Sequence, residues 1–192
     1  METLHQLSHL QTVYRILTRI ESMFSSLQEV NSFCQRNYAV QPTIPSSAMP
    51  DEDRTTSRIC VGTSLESCVT AIGTLGVFRR CLASNPDTKS YASLGREVYP
   101  IILQTFLVAA DFLYKPTVQQ VPDVNRSEER WLLKPVSPVS SRILWLDMFS
   151  ITLDPDDCRK AVNVCEVGDP VGMSHPWLDG RGHVLDCSEM EE

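Results

Sequence analysis

The chain has 192 residues, 42% of them hydrophobic and 21% charged, which is enough apolar material for a sizeable core and too much for a disordered chain. Its net charge of -7 is unevenly placed: residues 1–120 carry 10 basic and 10 acidic side chains, whereas residues 121–192 carry 7 and 14. An acidic chain repels phosphate backbones, so direct nucleic-acid binding is disfavoured.

In chain order, the first predicted element is a long N-terminal helix. Leu10, Val13, Leu17, Ile20, Phe24, Leu27 and Cys34 follow steps of three and four, and residues 1–41 contain no Gly or Pro. The pattern predicts about 30 helical residues, on the order of 45 Å. So broad a stripe reads first as core. Its rhythm, with Asn31 in the polar slot, also fits a seam with a protein partner or a homodimer. A proline-rich loop follows at Pro42, Pro45 and Pro50.

Thr63 and Glu66 have capping-box spacing for a second helix, with Leu65, Cys68, Val69, Ile72 and Leu75 on its buried face and Asn85-Pro86 as its stop. A third helical block is expected from about Ser90 to Tyr114, kinked or restarted at Pro100, with Ile102, Phe106, Ala109 and Leu113 on one face and Asp111 toward solvent. Its apolar run is too short and too interrupted for the roughly 20 residues of a membrane span, so no membrane partner is expected. From Lys115 to Ser141 four prolines punctuate the chain, and "RSEERWLL" suits a short helical turn. "RILWLDMFSITL" fits helix or strand, and helix is the reading adopted. "DPDDCRKAVNVCEVG" carries a helix start at Asp154-Pro155 and a stop at Gly168.

The seven cysteines form no CxxC pair, their number is odd, and "METLHQLSHL" lacks the pattern of a secretory signal. Free thiols in a cytoplasmic or nuclear setting are therefore expected. A Gly-rich phosphate loop, a GxSxG elbow and an HExxH pair are all absent from the sequence. In "SHPWLDGRGHVLDC", His175, Asp179, His183 and Cys187 recur every fourth residue, and all four are metal-ligand types. The interval has geometric meaning only on a helix, which Pro176, Gly180 and Gly182 oppose. A loop and polar tail is preferred, so neither a metal nor a cofactor is expected.

The first segment, "LHQLSHLQTVYRILTRIESMF", resembles the C-terminal regulatory regions of fungal Zn2Cys6 transcription factors of secondary metabolism, of the aflatoxin-regulator type. The likeness rests on the steps Leu4, Leu7, Leu10, Val13 and Leu17 followed by Arg19 and Phe24, and covers at most 40 residues. The family's zinc cluster, six cysteines with two CxxC pairs, is missing. The resemblance implies a regulatory region without its DNA-binding module.

These readings lead to a mainly α fold, an irregular helical bundle with one long N-terminal helix and a loop-rich C-terminal segment. Its parts would be a helical core at 1–114, a proline-punctuated linker at 115–142 and a C-terminal helical segment with an acidic tail at 143–192. The expected function is a non-enzymatic helical regulatory or protein-interaction module, with Leu10, Val13, Leu17, Ile20, Phe24 and Leu27 as its stripe. The alternative is a small helical enzyme or ligand-binding protein of such a pathway. Its pocket would lie between the Ile102–Leu113 helix and the segment around Trp145, with Asp111, His175, Asp179 or His183 supplying polar groups to a ligand the sequence leaves unidentified.

Overall fold

The computed structural model describes residues 9–18, 20–45, 51–72, 96–122 and 124–147, with strand segments at 152–153, 161–163, 166–167 and 173–174. The fold is mixed α/β and mostly strand, which corrects the helical bundle. Ten strands are present among these residues: β1 (Leu10–Leu17), β2 (Ile59–Val61), β3 (Arg96–Ala109), β4 (Leu113–Tyr114), β5 (Arg130–Leu132), β6 (Ser140–Asp147), β7 (Thr152–Leu153), β8 (Ala161–Asn163), β9 (Glu166–Val167) and β10 (Met173–Ser174). The helices are short: α1 (Ile20–Met23), α2 (Leu27–Cys34), α3 (Leu65–Ile72) and α4 (Val124–Ser127), with a 3-10 turn at Ala110–Phe112. The largest sheet has the order β1-β3-β6-β9 with β10 along β3, a second has the order β2-β5-β4, and β7 pairs with β8.

Among the described residues the expected N-terminal helix is replaced by a strand and two helices. Thr12, Val13, Tyr14 and Ile16 are β-branched or aromatic and suit a pleated strand. Ser25 and Ser26 then stop α1 and start α2. Ser26 Oγ accepts the Glu29 N–H at 3.3 Å, and the Glu29 carboxylate accepts the Ser25 N–H at 2.8 Å. Serines that satisfy a helix start are better used there than in a helix interior.

The Ser90–Tyr114 helix is likewise corrected, since residues 96–109 are strand. Ile101, Ile102, Leu103 and Gln104 are all buried, so both faces of β3 are covered here. A strand covered on both faces reads as a continuous apolar run and loses its alternation. "RILWLDMFSITL" is strand at β6 and β7, and parts of the expected 154–168 helix are strand at β8 and β9. The rest of that helix, Leu75 and the Asn85-Pro86 stop lie outside the described residues.

The chain divides into two units. One, made of residues 17–34, 73–102 and 142–192, has a core of Ile20, Leu27, Val30, Ile102 and Trp145, with the rings of Phe24 and Phe33 5.2 Å apart beside it. The other, made of residues 1–16, 35–72 and 103–141, has a core of Val13, Val40, Ile59, Val61, Phe106, Val108 and Leu132. In this second unit Gly62 exchanges two backbone hydrogen bonds with Tyr14, and α3 begins three residues after it, at Leu65. A Cβ at position 62 would meet Ser67 Oγ at 2.5 Å and Cys68 Sγ at 2.7 Å, so only glycine allows this approach. The cap of α3 lies one residue beyond the expected box: Ser64 and Ser67 accept each other's N–H at 3.0 Å, while Thr63 bonds Glu128 instead.

Alternating effects should follow along β3. Phe106→Ala should cost about 3–5 kcal/mol in urea unfolding, whereas Leu107→Ala, at an exposed position, should stay within about 0.5 kcal/mol.

Candidate functional site

The β2-β5-β4 sheet has two unlike faces. The register pairs Ile59 with Leu132, Cys60 with Trp131, Leu113 with Leu132 and Tyr114 with Trp131. Because side chains alternate, Ile59, Val61, Leu113 and Leu132 turn to the core of this unit, and Arg58, Cys60, Trp131 and Tyr114 turn the other way.

That second face is built around Trp131, which is fully buried. The Arg58 guanidinium lies 4.2 Å from its ring centroid, and Tyr114 stacks against it at 5.5 Å and 27°. The indole N–H donates to Glu129 Oε1 at 2.6 Å. Val121 and Val124 close over the ring. Arg58 is 2% exposed, and its Nη1 donates to the carbonyls of Asp53 at 2.8 Å and Thr56 at 3.2 Å; Glu52 lies 3.9 Å from Nη2. The loop that offers those carbonyls is itself tied by Asp53, whose carboxylate accepts from both Thr55 and Thr56. The Thr56 hydroxyl first, then the N–H and hydroxyl of Thr55, hold the Asp53 carboxyl well below its ordinary range.

Beyond the ends of these strands the chain is more exposed. Phe112, the last residue of the 3-10 turn before β4, is 53% exposed, and Leu133, the residue after β5, is 45% exposed. The Lys134 ammonium sits 5.2 Å from the Phe112 ring centroid.

A second polar group belongs to the same unit. Arg15 Nη1 donates to Gln104 Oε1 at 3.1 Å, and Gln104 Nε2 donates to Tyr38 Oη at 2.6 Å. Gln104 is fully buried and Arg15 half-buried; burial lowers the Arg15 pKa, opposed by the fields of Tyr38 and Cys60.

The thiols here are poor nucleophiles. Burial first, then the Glu129 carboxylate, push Cys60 up to about 12 against the pull of Arg58. Burial likewise pushes Cys68 up to about 12, and its Sγ donates to the Tyr14 carbonyl at 3.2 Å. Nucleophilic cysteines need the thiolate, which both sites disfavour.

The sequence-derived stripe is divided. Leu10 is half-buried and Val13 buried on β1; Leu17 ends that strand; Ile20 is buried on α1, Phe24 half-buried after it, and Leu27 buried on α2. Val13 joins the core with Phe106, and Leu17, Ile20, Phe24 and Leu27 join that of Trp145, so no single helical seam forms over residues 10–27. His175, Asp179, His183 and Cys187 lie outside the described residues, as do Cys81, Cys158 and Cys165. Asp111 is exposed, as expected. No group of three metal-ligating side chains occurs among the described residues, and no described helix is long and apolar enough to cross a membrane.

Sequence reading missed Arg58, Trp131, Phe112, Leu133 and the Arg15–Gln104 pair. A usable signal was the alternation Arg58-Ile59-Cys60-Val61 ahead of Gly62, a short strand pattern. Comparison with family models, curated proteins and solved structures finds no match to this chain. Of the residues that carry the likeness to fungal regulators, Leu10, Val13 and Leu17 lie on β1 and Phe24 follows α1, while Leu4, Leu7 and Arg19 lie outside the described residues.

Two outcomes follow. Arg58→Met should lower stability by about 1–3 kcal/mol, since it removes charged hydrogen bonds and the cation over Trp131, as read by circular dichroism in urea. Cys60 and Cys68 should react slowly with iodoacetamide in the native protein at pH 8. Their raised pKa values mean the native state holds its thiol protons longer than the unfolded state. The stability they contribute is therefore full below about pH 9 and is lost as pH rises from there toward 12.

Proposed function

We propose that this chain is a binding module that receives an acidic, apolar-anchored segment of a partner protein on the Phe112–Leu133 end of the β2-β5-β4 sheet. The observation that carries this reading is a pair of large apolar side chains left exposed just outside β4 and β5, beside a sheet face that is otherwise covered. At Trp131 that face is sealed by Val121, Val124 and the loop that holds Arg58. Phe112, before β4, and Leu133, after β5, are left to solvent, and Tyr114 is 38% exposed.

The charge on this end selects the partner. Lys134 lies over the Phe112 ring and has no ion pair among the described residues, so a carboxylate next to an apolar anchor would meet the ammonium and the ring together. Aromatic anchors of this kind dominate binding energy where a partner excludes water from them. The buried, protonated thiols of Cys60 and Cys68 add to the case for binding over thiol chemistry.

The test is an NMR titration of the labelled chain with a synthetic peptide of alternating glutamate and leucine. Saturable shifts should centre on Phe112, Leu133 and Lys134. Phe112→Ser and Lys134→Glu should each weaken binding by about tenfold or more, equivalent to about 1.4 kcal/mol, and both positions are exposed enough to leave folding intact. Equal binding of a lysine–leucine peptide, or shifts centred elsewhere, would overturn the reading.

A further inference from the structure

We propose that Arg15 anchors a second binding site, for the carboxylate or phosphate group of a small ligand. A guanidinium has five N–H donors in a fixed fork, and two of its edges can each grip two oxygen atoms. Here Nη1 is committed to Gln104 Oε1. Nε and Nη2, which form the side-on edge, have no hydrogen bond among the described residues. That edge is the one best matched to two oxygens of a planar carboxylate or of a phosphate.

The surroundings hold the fork in place without neutralising it. Gln104 is fully buried and both ends of its amide are used, the oxygen by Arg15 and the nitrogen by Tyr38. The amide therefore cannot turn without losing a buried hydrogen bond. Arg15 is half-buried on β1, its acceptor Gln104 Oε1 belongs to a neutral amide, and it makes no ion pair among the described residues. A cation partly withdrawn from water and answered only by a neutral group gains most from an added anion. The site is separate from the Phe112–Leu133 surface and does not depend on it.

The experiment follows the Arg15 Nε–H resonance during titration at fixed pH and ionic strength, with inorganic phosphate in one arm and acetate in the other. Saturable movement in either arm, with half-saturation at about 1–10 mM, supports the site. The arm that saturates names the chemistry: phosphate alone points to a phosphorylated ligand, and acetate alone to a carboxylic acid. Arg15→Lys keeps the charge but loses the fork, and should weaken that binding at least about fivefold, read from the neighbouring amides. Movement that stays linear or absent in both arms, or equal affinity in Arg15→Lys, would falsify the proposal.

Discussion

The guanidinium of Arg58 is drawn out of water against the indole of Trp131 and held through Nη1 by two backbone carbonyls, while its buried Nε has no acceptor among the described residues. The loop from Asp53 to Thr56 turns its carbonyls toward Nη1, and the Asp53 carboxylate ties the loop through Thr55 and Thr56. Trp131 in turn is oriented by Glu129 through its indole N–H and by Tyr114 against its ring. Arg58 sits at the head of β2, Trp131 in β5 and Tyr114 in β4, so one stack of a cation and two rings joins side chains from all three strands of the small sheet. Polar interactions of this kind are modest in net energy but severe when half-made, which gives the arrangement its specificity.

The same arrangement explains why one sheet can serve both as core and as surface. Its inner face, with Ile59, Val61, Leu113 and Leu132, is filled by ordinary apolar packing. Its outer face is covered at Trp131 by the segment carrying Val121 and Val124. Phe112 and Leu133, just outside β4 and β5, stand exposed.

Which parts of this fold the sequence could disclose depends on how each pattern was disguised. The α3 helix was legible, because Ser64, Leu65 and Cys68 give a cap and a buried face within one turn of the expected start. The exposed carboxylate at Asp111 was legible too. On β1 the pattern was hidden by Arg15: Val13, Arg15 and Leu17 share one face as a strand requires, but the middle one is charged, and the surviving apolar residues fall at helical intervals. On β3 the burial of Gln104 and its apolar neighbours erased alternation altogether. The candidate sites were less legible than either, since Arg58 meets Trp131, and Arg15 meets Gln104, across 73 and 89 positions of the chain.

The unit that carries both proposed sites is assembled from three separate pieces of chain, 1–16, 35–72 and 103–141, with pieces of the other unit threaded between them. No shortening from either end can therefore release it as one uninterrupted fragment. During synthesis, Arg15 and Arg58 must wait for Gln104 and Trp131 to leave the ribosome before their contacts can close. Long loop closures of this sort slow folding and leave early strands exposed meanwhile. The interleaving thus makes the timing of folding, as much as the finished contacts, a condition for assembling this unit.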